Sequence, residues 1–140
     1  MSAYETAKLF FAACETAQGW AGCAQYVEPG AAFDAQSEPL MDVRTVEAYC
    51  EWMKAFGTVT APGANYDLHA CAWDETQQQA MFFATYHATH SGEGGPVPPT
   101  QRSTQSHYVY VLTMNAEGKV AHMVKIWNAG WASRELGWIE

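Results

Sequence analysis

The chain has 140 residues, of which 49% are hydrophobic and 14% aromatic, and its formal net charge is -8. This length predicts one domain with a single core, and the shortage of cations disfavours nucleic acid or an anionic membrane as a partner. No apolar stretch is long enough to span a bilayer, and the first residues lack the pattern of a signal peptide, which favours a cytoplasmic protein. Cys14, Cys23, Cys50 and Cys71 have no Cys-x-x-Cys spacing. We therefore expect four buried, reduced thiols and neither a metal nor a cofactor.

Periodicity in the first half of the chain predicts three helices and one short strand. Residues 2–17 open with capping-box spacing and then repeat apolar side chains at the helical period. Residues 20–26 favour a short second helix, and residues 31–36 a strand. Asp42 is expected to cap a third helix that ends before Gly57.

The second half is typical of antiparallel strands. Residues 66–73 alternate as a strand, and residues 79–90 return beside it. Residues 91–103 form a loop rich in Gly and Pro, which is either a pocket lid or a plain connection. A hairpin over residues 107–128 and a short helix near 131–137 close the chain. Helices first and strands afterwards predict an α+β fold, in which a curved antiparallel sheet wraps around the N-terminal helices.

The last hairpin is predicted to have two apolar faces. Side-chain alternation places aromatic, sulfur-containing and aliphatic residues with a single lysine on one face: Tyr108, Tyr110, Leu112, Met123, Lys125 and Trp127. The other face is aliphatic: Val109, Val111, Val120, Val124 and Ile126. Closure around residues 115–118 would set Tyr110 opposite Met123 and Tyr108 opposite Lys125. An antiparallel sheet normally leaves one face wet, so we interpret the first face as a pocket wall and the second as a homodimer interface.

Two short segments carry a resemblance to a known family. Ala-Thr-His-Ser-Gly at residues 88–92 is similar to a Gly-Thr-His-Thr-Gly motif, and Pro-Pro-Thr-Gln-Arg at residues 98–102 is similar to Pro-Pro-Thr-Gly-Arg, with Gln101 in place of the glycine. On these motifs the chain resembles, over essentially its whole length, the SnoaL-like polyketide cyclase group of the nuclear transport factor two-like superfamily. The resemblance implies a conical (cystatin-like) α+β barrel with an apolar pocket, usually dimeric through the outer sheet face.

The resemblance does not decide the function, because this scaffold hosts isomerases, cyclases, dehydratases, epoxide hydrolases and binding modules. The cyclases carry an acid near the end of the last strand, and the matching residue here is the neutral Asn128. The places that ketosteroid isomerases use for chemistry are matched by Ala12, Ala35 and Tyr110, with Asp34 one residue away. Of those three, Tyr110 alone retains a hydrogen-bond donor for an oxyanion.

Three residues are candidates for acid/base chemistry. Lys125 is the one cation expected inside the pocket, where desolvation lowers a lysine pKa, although its ammonium could instead reach the rim. Asp34 would gain a raised pKa in apolar surroundings, but facing outward it would be a surface carboxylate. Tyr110 either orients a carbonyl or simply buries its ring. The predicted ligand-binding residues are Phe33, Trp52, Met53, Tyr108, Leu112, Met123, Trp127 and Asn128.

Two functions from different classes follow from these residues. The first is a dimeric protein that binds a small, apolar carbonyl compound and acts on it by acid/base chemistry of cyclase, isomerase or dehydratase type. The second is a non-catalytic ligand-binding or assembly module. An ionisable group deep in the pocket separates the two, because a binding module does not need one. A metal site is not expected, since His87 and His90 lie three residues apart on a strand and point to opposite faces.

Overall fold

The computed structural model describes residues 1–139 and contains helices packed on one sheet. The helices are α1 (Ala3–Glu15), α2 (Gly19–Cys23), α3 (Val46–Ala55) and α4 (Ala129–Leu136). The strands are β1 (Val27–Ala35), β2 (Asn65–Asp74), β3 (Gln79–Thr89), β4 (Ser103–Met114) and β5 (Val120–Trp127). Tighter helical turns cover Ala24–Tyr26 and Glu38–Leu40, and a π-helical turn, Phe56–Thr60, follows α3. Within the described chain, no helix has the length and apolar character that a membrane span requires.

Helix starts follow from capping side chains. The Ser2 hydroxyl accepts a hydrogen bond from the Glu5 amide at the start of α1, as the capping-box spacing predicts. Helix α3 is capped by Thr45, whose hydroxyl accepts from the Ala48 amide at 3.1 Å. The prediction that Asp42 caps this helix is therefore wrong, because a second N-cap residue lies three positions further on.

The five strands form a curved, unclosed sheet in the order β1-β5-β4-β3-β2. Pairs β2–β3, β3–β4 and β4–β5 are antiparallel, whereas β1 runs parallel to β5. The α+β prediction is confirmed, with one parallel pair that hairpin signals could not reveal. Helix α1 packs on the inner face, where Phe11 stacks on Phe82 with ring centroids 4.7 Å apart.

The β4–β5 hairpin differs from its predicted register. Tyr110 pairs with Lys125 and Tyr108 with Trp127, two residues away from the predicted partners. An irregularity between Thr113 and Met114 contributes to the offset. A slip of two residues leaves the side chains from Tyr108 to Thr113 and from His122 to Trp127 on their predicted faces. Val120 is the exception: it pairs with Met114 beyond the irregularity and is fully buried, so its predicted place on the outer face is wrong.

The expectation of four buried thiols holds for three cysteines. Cys14, Cys23 and Cys50 are buried, whereas Cys71 on β2 is exposed and accepts a hydrogen bond from the Tyr4 hydroxyl at 3.2 Å. Its strand is an edge of the sheet, and most residues of that strand are exposed.

Candidate functional site

A cavity of about 920 Å³ opens beside α3 and the start of α4. Its wall comes from the segment after β1, from α3 and its π-helical turn, from the loop after β3, and from the end of β5. The larger side chains of the wall are Met41, Trp52, Phe56, Trp127 and Trp138. Four aromatic rings thus share the lining with polar residues, among them Glu38, Asp42 and Asn128, and such a mixture of apolar and polar groups is typical of a small-molecule site.

The loop after β3 contributes Gly94, Gly95 and Pro96 to the wall, and His90 anchors it. The buried ring of His90 accepts a hydrogen bond from Trp138 Nε1 at Nδ1, 2.9 Å away, so its Nε2 carries the hydrogen that is donated to the Gly94 carbonyl at 3.1 Å. Gly94 and Trp138 both line the cavity. His90 thus joins the loop at residues 90–102 to Trp138, and the predicted role of the loop as a lid stays a prediction.

Trp52 and Trp127 close the inner end of the cavity. Their rings meet edge to face with centroids 6.2 Å apart, and Trp127 Nε1 donates to the Ser106 hydroxyl at 3.0 Å. Trp52 also stacks on Phe56 at 5.3 Å. Lys125 does not line the cavity, and its Nζ lies 4.8 Å from the ring centroid of Trp127 and 6.0 Å from that of Trp52.

The Lys125 ammonium is enclosed by aromatic rings. Its Nζ lies 4.8 Å from the ring centroid of Trp127, 5.1 Å from Tyr49, 5.2 Å from Tyr108 and 6.0 Å from Trp52. Within residues 1–139, no carboxylate oxygen lies within 4.0 Å of it. Burial lowers the pKa of Lys125 from 10.5 to about 8, and nearby Glu15 partly opposes this shift. The amine is therefore mostly protonated at neutral pH, and cation–π contacts rather than an ion pair hold it.

Glu15 is the buried carboxyl group of the site. It is the last residue of α1 and accepts hydrogen bonds from the hydroxyls of Tyr108 and Tyr110. The Tyr110 oxygen in turn lies 2.9 Å from the Tyr49 hydroxyl, which donates to it because the hydrogen of Tyr110 is directed to Glu15. Burial raises the pKa of Glu15, whereas the charge of Lys125 and the two tyrosine hydrogen bonds hold it down. Acid, amine and phenols thus form one buried group that can accept, donate or relay a proton.

The predicted catalytic residues lie in two places. Lys125 and Tyr110 are paired across β4 and β5 and are both buried. Asp34 faces the outer side of the sheet, with its side chain 68% exposed, and its carboxylate lies 2.7 Å from His122 Nε2. The expectation that Asp34 lies near the pocket is therefore corrected: the inner position is held by its neighbour Phe33, because side chains alternate along β1.

The predicted ligand-binding residues are divided by depth. Trp52, Trp127 and Asn128 line the cavity. The other five are buried in the interior and do not line it: Phe33, Met53, Tyr108, Leu112 and Met123. Contact of these five with a ligand stays a prediction.

Glu15 was missed by the sequence reasoning, although a signal for it exists. Ala7, Phe11 and Glu15 follow one another at intervals of four, so the glutamate continues the apolar stripe that buries α1. A charged residue on such a stripe is rarely buried unless it has a partner. Two inward tyrosines on a later strand supply the hydrogen bonds that compensate its burial.

Comparison with known proteins shows to which family the chain belongs. The family model described as the SnoaL-like domain matches residues 7–123. The chain belongs to the SnoaL-like domain family. A search of curated proteins finds no match for this SnoaL-like protein.

Solved structures share the fold of this SnoaL-like protein at low sequence identity. AclR of Streptomyces galilaeus, a proposed hydroxylase, superposes with a TM-score of 0.75 at 20% identity, over 99% of this chain and 89% of its own. IdmH of Streptomyces antibioticus, a proposed polyketide cyclase, gives 0.75 at 14% identity, over 98% and 99%. SalBIII, an epoxide hydrolase/cyclase-like enzyme of pyran ring formation in the polyether salinomycin, gives 0.65 at 13%, over 92% of each chain.

Proposed function

We propose that this SnoaL-like protein binds a small, mostly apolar carbonyl compound in the cavity beside α3. The volume of about 920 Å³ is within the range of roughly 300–1,000 Å³ that ligand pockets occupy. Aromatic side chains would cover the apolar body of such a compound. Asn128 and the backbone of the loop at residues 90–102 supply polar groups at the wall.

The buried ammonium of Lys125 carries the proposal that the protein also does chemistry. A cation held by aromatic rings, without a carboxylate at contact distance among the described residues, keeps N–H donors for an oxygen of the ligand. In this position it would stabilise negative charge that develops on a carbonyl oxygen during enolisation or ring closure. Lys125 does not line the cavity, so the proposal requires that entry of the ligand brings the ammonium into contact with it.

Glu15 is the proposed proton-transfer partner. Its pKa is raised by burial, which brings a carboxyl group closer to the working range of a general acid or base. The hydroxyls of Tyr108 and Tyr110 contact it directly and would relay a proton towards the ligand. Acid/base chemistry of cyclase, isomerase or dehydratase type fits this set, and the names of the structural neighbours IdmH and SalBIII support the same class.

The rival function, a non-catalytic binding module, would have no ionisable group deep in the pocket. Asp34 points outward. Lys125 and Glu15 do not line the cavity, but they are buried, at 6% and 3% exposed, and Lys125 Nζ lies against the rings of Trp52 and Trp127, which do line it. A protein that only binds an apolar ligand has no use for an acid and an amine that cost free energy to bury. We therefore favour the enzyme.

A ligand screen with Lys125→Met tests the proposal. Methionine keeps most of the volume of the stem and removes the charge, so packing and electrostatics are separated. We expect enolisable or anionic carbonyl compounds to raise the melting temperature of the wild type but not of the variant, whereas neutral hydrocarbons act equally on both. Lys8→Met, at an exposed position of α1, is the matched control. Identical ligand profiles for the wild type and Lys125→Met would contradict the proposed role.

We further propose that the protein is a homodimer through the outer face of the sheet. One cross-strand row on that face holds Ala70, Phe83, Val109 and Ile126, and the next holds Ala72, Met81, Val111 and Val124. Ile126 is 60% exposed and Phe83 40% exposed. A continuous apolar surface of this kind marks an interaction site in soluble domains, and a second copy of the same face would cover it.

A further inference from the structure

Three cysteines far apart in sequence meet between the first three helices. Cys14 comes from α1, Cys23 from α2 and Cys50 from α3, and all three are at most 1% exposed. Their sulfur atoms lie within 4.8 Å of one another. Such convergence cannot be recognised from spacing along the chain, because each residue comes from a different helix.

The separation of the sulfurs fits an ion at their centre. A metal–sulfur bond of about 2.3 Å places three sulfurs around one ion roughly 4 Å apart, so small side-chain shifts suffice. Within residues 1–139, no further His, Cys, Asp or Glu ligand atom joins the group. Structural zinc takes four protein ligands in tetrahedral geometry. The cluster therefore suits a soft ion that is complete with three sulfurs.

The negative charge around the three cysteines determines which soft ion fits the site. Glu15, which follows Cys14, is buried, and Glu51, which follows Cys50, accepts a hydrogen bond from the Trp20 amide of α2 at 2.7 Å. Three thiolates around a monovalent or divalent ion would add net negative charge to this buried, acidic region, which is costly. A trivalent ion with three thiolates is neutral.

We propose that Cys14, Cys23 and Cys50 form a closed three-sulfur binding site for a trivalent, three-coordinate thiophilic ion, with arsenic(III) as the probe. Binding of arsenous acid balances without an oxidant or a reductant. Three As–O bonds break and three As–S bonds form, while each thiol hydrogen leaves with a hydroxide as water. Sulfur and arsenic both keep their oxidation states.

Binding of an ion to the three cysteines would affect the candidate active site. The Tyr110 hydroxyl lies 3.6 Å from the Cys14 sulfur and also contacts Glu15. An ion bound to the three sulfurs removes the thiol hydrogens and ties α1, α2 and α3 together. The inference does not depend on the proposed carbonyl chemistry, because the site is defined by geometry and charge alone.

Native mass spectrometry of the reduced protein with arsenite tests the site. We expect one adduct per chain, with the mass of one arsenic atom less three hydrogens, and a rise in melting temperature. Cys71→Ser leaves the cluster intact and is the matched control, so it should behave as the wild type. Cys23→Ser and Cys50→Ala should lose the three-thiol adduct, and any residual two-thiol adduct would be recognised because it retains a hydroxyl group.

Because the three sulfurs are buried, the chain is also refolded in the presence of arsenite, so that lack of access cannot explain a missing adduct. If the refolded Cys71→Ser protein carries no three-thiol adduct, the site is overturned. The same conclusion holds if folded Cys50→Ala and Cys23→Ser, checked by circular dichroism, bind arsenite as tightly as the wild type. Zinc(II) is expected to bind at least tenfold more weakly than arsenite, and a reversed order would also overturn the assignment of a trivalent, three-coordinate ion.

Discussion

Lys125 and Glu15 illustrate how two buried ionisable residues moderate one another. Burial favours the neutral form of each, so it lowers the pKa of the amine and raises that of the acid. Their opposite charges act against burial and favour the ionised forms. The protonation state of one residue therefore depends on the other, which is a property of many acid/base sites.

The first prediction concerns the pH dependence of stability. Below about pH 8, Lys125 is protonated in both folded and unfolded chains, so the cost of burying its charge is fully present. Between about pH 8 and 10.5 the unfolded chain binds the proton and the folded chain does not, so the free energy of unfolding rises with pH. The shift in pKa corresponds to about 3 kcal/mol. Lys125→Met should thus be more stable than the wild type at pH 7, by at most that amount.

Urea denaturation of both proteins from pH 7 to 10.5 measures this difference. The advantage of Lys125→Met should shrink steadily over that window, while the titrating groups that are not coupled to Lys125 cancel in the comparison. A difference that stays constant across the window would mean that the folded-state pKa of Lys125 is not lowered.

The second prediction concerns the partner residue. Glu15→Gln keeps the shape of the side chain but removes the charge that raises the pKa of Lys125. We expect the lysine, followed by nitrogen-detected NMR, to titrate below about pH 8 in this variant. Glu5→Gln, an exposed change on the same helix, should leave the titration unaltered. An unchanged Lys125 titration in Glu15→Gln would show that the two groups are not coupled.

Whole elements were predicted better than the contacts between them. The apolar stripe on α1 and the alternation of inward and outward side chains on β4 and β5 depend on local periodicity, which can be seen in the sequence. The pairing of Tyr110 with Lys125 depends on a bulge near Thr113, and the neighbour relation of β1 and β5 depends on chain segments far apart in sequence. For the same reason Glu15 escaped prediction: its tyrosine partners lie more than 90 residues away.

The third prediction concerns the contact between the π-helical turn and the loop after β3. The Gly92 amide donates to the Thr60 carbonyl at 2.9 Å, and a Cβ at Gly92 would lie 1.8 Å from the Val59 carbonyl oxygen. Gly92→Ala should therefore push the loop away from the cavity wall and destabilise the protein by about 1–3 kcal/mol. Gly130→Ala, where an added methyl group meets nothing within 4 Å, is the control and should cause little loss.

Thermal unfolding and hydrogen exchange measure the outcome of the Gly92 substitution. Faster exchange of the Gly92 amide and of its neighbours is expected in Gly92→Ala but not in Gly130→Ala. Equal stability of the two variants would show that the loop accommodates the methyl group and does not depend on this close contact.

At the scale of the whole molecule, the fold class could be predicted from the order of helices and strands and from two short motifs. The positions of the side chains at the site could not be predicted in this way. A family scaffold fixes a cone with an inside and an outside, and the residues of each chain then decide what each side does. Here the inside holds Lys125 and Glu15, and the outside carries the apolar rows. Asp34 lies on the outside because adjacent side chains along β1 point to opposite faces of the sheet.

The last prediction addresses the outer face. Val111 lies near the middle of one apolar row, between Met81 and Val124. In the proposed dimer a lysine there would have to bury its charge between two copies of the face, so we expect Val111→Lys to sediment as a monomer. Leu9→Lys places the same charge at an exposed position on α1, away from the sheet, and should leave the dimer intact. A wild-type chain that sediments as a monomer at micromolar concentration would contradict the proposed interface, as would a dimer that survives Val111→Lys unchanged.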